Sequence, residues 1–471
     1  MRLPLKDKIF FAVGGAGENI AFQAVSAWLF FFWSGQGDPN KALIPIGTLG
    51  LLMGIGRLIE AFDDPLIGHL SDKTKSRWGR RFPYIFFGTP FLALSFFLLW
   101  TPIGPELAEG LPFIEPLYFF LALQFFFLTY TLVSAPYEGI LPELAKTSKD
   151  RVSTSAWRVL FGVIGAAIGL IGSTILIQNF GFKAMGVVLG IATLVSFWVS
   201  VFGIKHRLLS SAHPDNQTFN QSLPKHSESN RRAIHAIALI SRQENHFRIG
   251  QEKASVYQSL LSTLKNKQFL IFSLALVLFS LGFNLLNALL PFFVKFIVIQ
   301  QEGTVAVFSG LVLVSMLLAL PLQAYLSKRL GKKKIYAYSM LILSLVFPLL
   351  FLVGIIPIPS PFWQAALVTV LIGLALSGQF IFPNAILADV IDYDARKTGL
   401  RREAIYYGMQ NTMQKFSFAI ASIIFGTTLS VFGATLQSPL GIRLIGPIAG
   451  IATFLGFLVF IKWYRLPDTI K

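Results

Sequence analysis

Nine ionisable residues lie inside apolar runs of this 471-residue chain: Glu18, Arg57, Glu60, Asp63, Asp64, Glu138, Arg158, Lys295 and Lys415. An ionised side chain at the centre of a bilayer costs at least about 2.5–3.5 kcal/mol, so such groups face a partner or an internal cavity. Arg57, Glu60 and Asp64 recur at helical spacing, which puts one guanidinium and two carboxylates on a common face. Pro65 follows and frees the carbonyl of Ala61 from the helix ladder. Carboxylates with a freed carbonyl are hard oxygen ligands suited to an alkali cation, and a desolvated carboxyl can carry a proton. The same spacing also suits a plain Arg57–Glu60 ion pair that only orients the helix. Asp63 points elsewhere and suits a contact between the two parts of the molecule. Thr131, Ser134 and Glu138 form a second stripe, interrupted by Pro136. Arg158 opens a later run, either as an interfacial anchor or as a planar donor to hydroxyls or carboxylates. Lys415 is deep in its run and needs a carboxylate or a polar ligand. Lys295 is near the end of its run and is placed to snorkel. Tyr130, Tyr137, Phe380, Tyr406 and Tyr407 stand beside these polar groups and could stack on a ring.

The elements that must position these residues are helices. Hydrophobic residues make up 54% of the chain, charged residues only 13%, and the mean hydropathy is +0.64. Apolar stretches of about 20 residues recur, each long enough to cross a hydrocarbon core, and backbone in lipid must satisfy its own hydrogen bonds. Twelve such stretches fall near 9–33, 44–70, 83–103, 116–141, 157–178, 184–204, 269–297, 305–327, 335–357, 362–388, 404–432 and 442–464. The first is too long for the apolar part of a signal peptide. The chain thus reads as an all-α polytopic membrane protein with 12 transmembrane helices.

Basic residues sort the connections between the stretches. Lys73, Lys75, Arg77, Arg80 and Arg81 follow the second stretch, and Lys146, Lys149 and Arg151 follow the fourth. Lys328, Arg329, Lys332, Lys333 and Lys334 follow the eighth, and Arg396, Lys397, Arg401 and Arg402 the tenth. Alternate connections hold only Lys41 and Lys183. The positive-inside rule then places the basic connections and both termini in the cytoplasm, for a multi-pass protein of the cell membrane. The formal charge of +17 is therefore a matter of topology, and nucleic acid is excluded as a partner. With zero cysteines there is no disulfide or thiolate metal site. No nucleotide-binding Gly-rich lysine sequence occurs, and five of the six histidines fall between the sixth and seventh stretches. Neither an enzyme nor a cofactor is expected.

The polar segment 205–268 divides the stretches six and six, giving an N-terminal half 1–204 and a C-terminal half 269–471. Within it, Leu260, Leu261, Leu264 and Phe269 suit an amphipathic surface helix. A flexible basic linker fits equally well. Pro65-Leu-Ile-Gly-His-Leu-Ser-Asp72, with Gly79 beyond, is echoed by Pro321-Leu-Gln-Ala-Tyr-Leu-Ser-Lys328 and Gly331. A parallel repeat of six spans around a central site is the internal symmetry of major facilitator transporters.

The run from Arg57 through Asp63-Asp64-Pro65 and Asp72 to Trp78-Gly79-Arg80-Arg81-Phe82-Pro83 resembles the signature of the glycoside–pentoside–hexuronide:cation symporters. These form the melibiose-permease-like branch of the major facilitator superfamily. Ala135-Pro-Tyr-Glu-Gly-Ile-Leu-Pro-Glu-Leu144 and Ala388-Asp-Val-Ile-Asp-Tyr393, running on to Gln410 and Lys415, carry the likeness into both halves. The resemblance implies a major facilitator fold and cation-coupled uptake of a small solute, a sugar or glycoside, by alternating access. It implies cation-site positions at Glu60, Asp64 and Thr131, and substrate-pocket positions at Arg158 and Lys415. Asn19 and Ser134 stand where melibiose-type members have sugar-contacting aspartates, and Glu138 stands where they have a tryptophan. Glu18 and Glu138 are expected to replace the missing carboxylates in part, so Glu138 joins the coupling set. Glu18, Asn19, Ser134 and Phe380 join the substrate set. Either H+ or Na+ serves as coupling ion, with no other metal. Asp72, Arg77, Gly79 and Arg80 are expected to form a conformational latch on the cytoplasmic side. A monomer is expected. A transporter or exporter of a lysolipid or other amphiphile, and a non-transporting membrane receptor, are the competing readings.

Overall fold

The computed structural model describes residues 3–36, 43–74, 76, 78–103, 111, 113–145, 147–212, 263–357, 360–399 and 402–466, and among these the chain is helical with no strand. The helices are α1 (Leu5–Trp33), α2 (Ile46–Lys73), α3 (Phe82–Leu98), α4 (Ile114–Leu144), α5 (Ser148–Ala167) and α6 (Ser173–Ala212). Then come α7 (Lys267–Phe293), α8 (Thr304–Leu330), α9 (Lys332–Val346), α10 (Pro361–Thr398), α11 (Glu403–Phe432) and α12 (Leu440–Trp463), with a short unnumbered helix, Leu349–Leu352, between α9 and α10. One π-helical turn, Ile168–Gly172, joins α5 to α6, and another, Val294–Val298, extends α7.

Eight runs among the described residues are long and apolar enough to cross a membrane. One of them, Ser153–Arg207, spans 55 residues. Unbroken, at 1.5 Å per residue it would far exceed a hydrocarbon core of about 30 Å. Non-helical backbone at Gly181 (φ 80°, ψ 175°) divides it. That left-handed φ suits glycine, and the loop expected between 178 and 184 falls there. α1 and α2 are absent from the eight because Glu18, Asn19, Arg57 and Glu60 lower their hydropathy. Their polar content is the site itself.

Local chemistry sets several ends. The Asn266 side chain accepts from the backbone N–H of Gln268 (3.1 Å) and Phe269 (3.3 Å) and so caps α7. Thr147 does the same for Asp150 (3.1 Å) at the start of α5. Gly399, at φ 71°, closes α10. Helices overrun the apolar stretches at the basic end. α10 continues to Thr398 and α6 to Ala212, past the expected 388 and 204. The extra turns are polar and held by ion pairs, as in Lys332–Asp389 (2.6 Å) and Arg402–Asp394 (2.9 Å). The proposed amphipathic helix near 256–269 lies largely outside the described residues.

Packing repeats with a shift of six. α1 packs on α5 and α6, α3 on α4 and α6, and α2 on α4. Correspondingly, α7 packs on α11 and α12, α9 on α10 and α12, and α8 on α10. Gly79 and Gly331 both sit at φ 89°. The next residue in each case reaches an acid on the fourth helix of its set: Arg80 Nε donates to Glu143 at 2.7 Å, and Lys332 Nζ to Asp389 at 2.6 Å. Large apolar side chains such as Phe91, Leu121, Leu318, Leu345 and Ile451 are exposed, as a lipid-facing surface requires.

The two sets meet through α2 against α11, α1 against α7 and α5 against α8. The close part of α2–α11 is at the end opposite the basic connections. There a Cβ on Gly50 would stand 2.6 Å from the carbonyl oxygen of Ser422 and 2.8 Å from Cα of Gly426. Such small-residue contacts let helix backbones approach in lipid. Aromatic pairs close the same end, Phe30 with Phe425 (4.9 Å) and Phe31 with Phe292 (5.3 Å). Lys295 Nζ donates to the carbonyl of Gln36 and lies 3.9 Å from Glu302. The lysine expected to snorkel thus ties the first set to the second.

Candidate functional site

Two charged clusters lie at mid-height. In the first, Glu60 on α2 is 1% exposed and receives two cations. Arg57, one turn earlier, donates Nη1 to Glu60 Oε2. Lys415 on α11 brings Nζ to 3.1 Å from Glu60 Oε1 and donates to the Glu60 carbonyl at 3.2 Å. The Arg57–Glu60 pair and the Lys415 partner, two readings open in the sequence, are therefore one assembly.

Arg57 Nε and Nη2 have no hydrogen-bond acceptor among the described residues. Instead the guanidinium lies over three rings, Phe127 (4.2 Å), Phe418 (4.4 Å) and Phe22 (4.8 Å), from α4, α11 and α1. A desolvated cation–π contact is worth about 2 kcal/mol, so the rings stand in for acceptors. The sequence reading missed this cage. Each ring is three or four residues from a singled-out position (Glu18, Thr131 or Lys415), and that spacing was the available signal. Thr131 on α4 is 1% exposed, with its hydroxyl unpartnered among the described residues. The side chains of Asp64 and Asp72, and the whole of Arg77, lie outside the described residues.

In the second cluster, Arg158 on α5 binds two carboxylates through one nitrogen. Its Nη2 lies 3.1 Å from Oε1 and 2.9 Å from Oε2 of Glu18 on α1, and 2.7 Å from Oε1 of Glu138 on α4. Exposure grades across it: the side chains of Glu18, Arg158 and Glu138 are 9%, 25% and 46% exposed. The guanidinium carbon stands 5.4 Å from the centre of the Tyr137 ring, whose hydroxyl donates to the Phe11 carbonyl at 2.6 Å. Tyr130 donates to the Glu18 carbonyl at 3.3 Å. The close approach of α1 and α5 that permits this depends on Gly165, where a Cβ would come within 2.3 Å of the Ala16 carbonyl.

Glu138, grouped by the sequence with the α2 carboxylates, meets Glu18 instead. It shares a face of α4 with Thr131, but seven residues separate them by about 10 Å along the axis. Asn19 donates to the Gly15 carbonyl at 2.9 Å, within its own helix. Ser134, one turn before Glu138, is partly exposed. Phe380 is half exposed on α10. Tyr137 and Tyr406 are fully buried among protein rings, Phe11 and Phe269, and offer no open face in this conformation. Arg80 holds Glu143 while Arg81 lies 3.5 Å from the same carboxylate, joining the turn at Gly79 to α4. No group of three or more acidic, His or Cys side chains among the described residues could hold a metal ion.

The model of the MFS/sugar transport protein family matches residues 10–229 and 232–468. The isoprimeverose transporter of Lactiplantibacillus pentosus is 24% identical over 442 residues, covering 92% of this chain and 81% of that protein. The sodium-dependent lysophosphatidylcholine symporter 1 of Xenopus tropicalis is 25% identical over 451 residues, covering 93% and 81%. Among solved structures, the nucleoside transporter NupG superposes with a TM-score of 0.62 at 14% identity, covering 99% of this chain and all of that one. At that identity the likeness is one of fold.

Proposed function

The chain belongs to the MFS/sugar transport protein family, and from that premise we propose that it couples movement of a sugar or glycoside to that of a cation by alternating access. It is a multi-pass membrane transporter. The observation that carries the reading is the Glu18–Arg158–Glu138 cluster. Fixed polar groups of this kind, partly open to solvent between helices, are what a polyhydroxylated solute needs for orientation.

The finer architecture supported here is twelve spans in two six-helix halves, 1–204 and 269–471, joined by the linker 205–268. The packing that recurs with a shift of six, and the paired Gly79–Arg80 and Gly331–Lys332 corners, support it. Positive-inside charge puts the basic end and both termini in the cytoplasm of a cell membrane. The contact of Gly50 with Gly426 then closes the outer side, so the conformation described is inward-facing. Arg158, Glu18, Asn19, Ser134, Phe380 and Lys415 serve the solute. Glu60, Asp64, Thr131 and Glu138 serve coupling. Asp72, Arg77, Gly79 and Arg80 serve as the latch. The working unit is the monomer.

The test is uptake into proteoliposomes of radiolabelled isoprimeverose, lactose, raffinose and lysophosphatidylcholine under an imposed Na+ or H+ gradient. Gradient-driven accumulation of a sugar, lost in Asp64→Asn and in Arg158→Met, is the expected result. Movement of the lysolipid alone would replace the reading by amphiphile transport, with Asn19 and Ser134 as the departures behind it.

A further inference from the structure

We infer that Lys295 is a positioning residue for the end opposite the basic connections: it ties the two sets of helices together there and passes to Glu302 when they part. The inference rests on the alternating-access reading for its meaning in transport.

The contacts of Lys295 are the first ground. It belongs to the second set, on the π-helical turn Val294–Val298 that extends α7. Its Nζ donates to the carbonyl of Gln36, three residues past the end of α1 in the first set. The same Nζ lies 5.3 Å from the centre of the Phe31 ring, again on α1. Phe31 also receives Phe292, one turn earlier on α7. The last carbonyls of a helix carry partial negative charge and favour a cation. α1 has no basic residue in its own last turn, so the cation that suits this terminus comes from the other set.

A second partner within reach is the other ground. Glu302 lies in the turn between α7 and α8 and so moves with Lys295. Its Oε1 is 3.9 Å from Nζ, too far for a hydrogen bond and near enough for attraction. Burial holds the Glu302 carboxyl above its usual range, with Lys295 opposing. The carboxylate is thus short of compensation while the lysine is turned toward α1. The turn itself borders the first set, with Gln178 Nε2 on α6 at 3.5 Å from Gln301 Oε1. When the sets separate, Gln36 leaves with α1 and Glu302 stays. The flexible lysine stem then reaches it by a change of rotamer. The backbone here departs from local preference, because the π turn ends at Ile299 with φ 57°, an unfavourable conformation for a branched residue. Such turns and such strain mark functional positions.

The two partners act with opposite sign. A charged donor on a carbonyl is worth about 10- to 150-fold in an equilibrium. A partly exposed ion pair is worth at most about 5-fold. The tie to Gln36 therefore dominates and favours the closed end, while Glu302 eases its release.

The chain has no cysteine, so Phe180→Cys and Trp363→Cys place two spin labels at exposed positions, one on each set at this end. Distance distributions from the purified full chain in liposomes then give the ratio of far to near populations, with no solute needed. Lys295→Met should raise that ratio at least about 2-fold. Glu302→Gln should lower it by about 2- to 5-fold, and should do nothing once Lys295→Met is present. A lysine with a merely structural role would give neither the opposite signs nor that dependence. Glu302→Gln alters a partly exposed turn residue and carries the test if Lys295→Met fails to fold. An unchanged ratio in a folded Lys295→Met would overturn the proposal, as would a Glu302→Gln that leaves the ratio alone, raises it, or acts without Lys295. A far population present in the parent and untouched by either variant overturns the switch alone. A single distance in every variant overturns the alternating-access reading with it.

Discussion

Gly50→Ala should open the end of the molecule opposite the basic connections. The added Cβ would stand 2.6 Å from the Ser422 carbonyl oxygen and 2.8 Å from Cα of Gly426, both backbone atoms of α11. No rotamer change relieves that contact, so α2 and α11 must separate. Overpacking of this kind costs about 1–3 kcal/mol. The penalty applies only where the helices touch, which is the state closed at this end. The helix propensity gained by replacing glycine, about 1 kcal/mol, is present in both states and cancels. At a factor of ten per 1.4 kcal/mol, the open-to-closed ratio rises by about 5- to 150-fold.

The chain has no cysteine, so Ser422→Cys places a single reporter inside this contact. Its reaction with a membrane-impermeant maleimide, applied from the side that this end faces, samples the open state. The labelling rate should rise by the same factor of about 5 to 150 when Gly50→Ala is added. Gly408→Ala is the control, since nothing lies within 4 Å of a Cβ there. If Gly50→Ala leaves the rate at the Gly408→Ala level in a folded protein, the close contact does not hold that end shut.

Glu60→Gln leaves the Arg57 guanidinium buried without that carboxylate and should destabilise the protein by about 3–5 kcal/mol in thermal unfolding. Adding Arg57→Met should recover part of that loss, because the guanidinium then no longer lies buried without it. Asp150 outside the spans is held below the usual carboxylate range by hydrogen bonds from Lys8 and Thr147. A depressed value stabilises the folded state above the unfolded pKa of about 3.9 and loses that effect as pH falls through the folded value. Thermal midpoints over an acid series should therefore fall less steeply in Asp150→Asn. Arg443 Nη1 donates to the carbonyls of Phe351 and Val353, both at 2.7 Å. Arg443→Leu should cost about 1–3 kcal/mol and speed hydrogen exchange in the segment after α9.

The helices were legible because a bilayer leaves the backbone no alternative, and a run of apolar residues is then a helix by necessity. Their ends at the basic side were not. Hydropathy stops where water begins, whereas α10 continues for ten residues past 388 on ion pairs that need a tertiary partner such as Lys332. The charged residues were legible for the same reason as the spans, since each is too costly to be idle. Their partners were legible only in part. Periodicity assigns a face but not the helix opposite, so Glu138 was grouped with Thr131 and Glu60 for coupling, and Arg158 as the cation it shares with Glu18 was not foreseen. The three rings under Arg57 had only their spacing to set them apart among 46 phenylalanines. An aromatic beside a buried guanidinium has the same sequence signature as one facing lipid.

The two clusters differ in what they connect, and that difference constrains how coupling works. Glu18, Arg158 and Glu138 come from α1, α5 and α4, all in the first set of helices, so the cluster can stay intact while the sets rock. Glu60 and Lys415 come from α2 and α11 and span the boundary between sets. Any motion that parts α2 from α11 at mid-height breaks that pair, so Lys415 loses Glu60 while Glu60 keeps Arg57 on its own helix. A ligand bound wholly within the first set changes no contact across that boundary and so cannot by itself bias it. A ligand that does bias it must touch both sets and offset the loss of the Glu60–Lys415 contact.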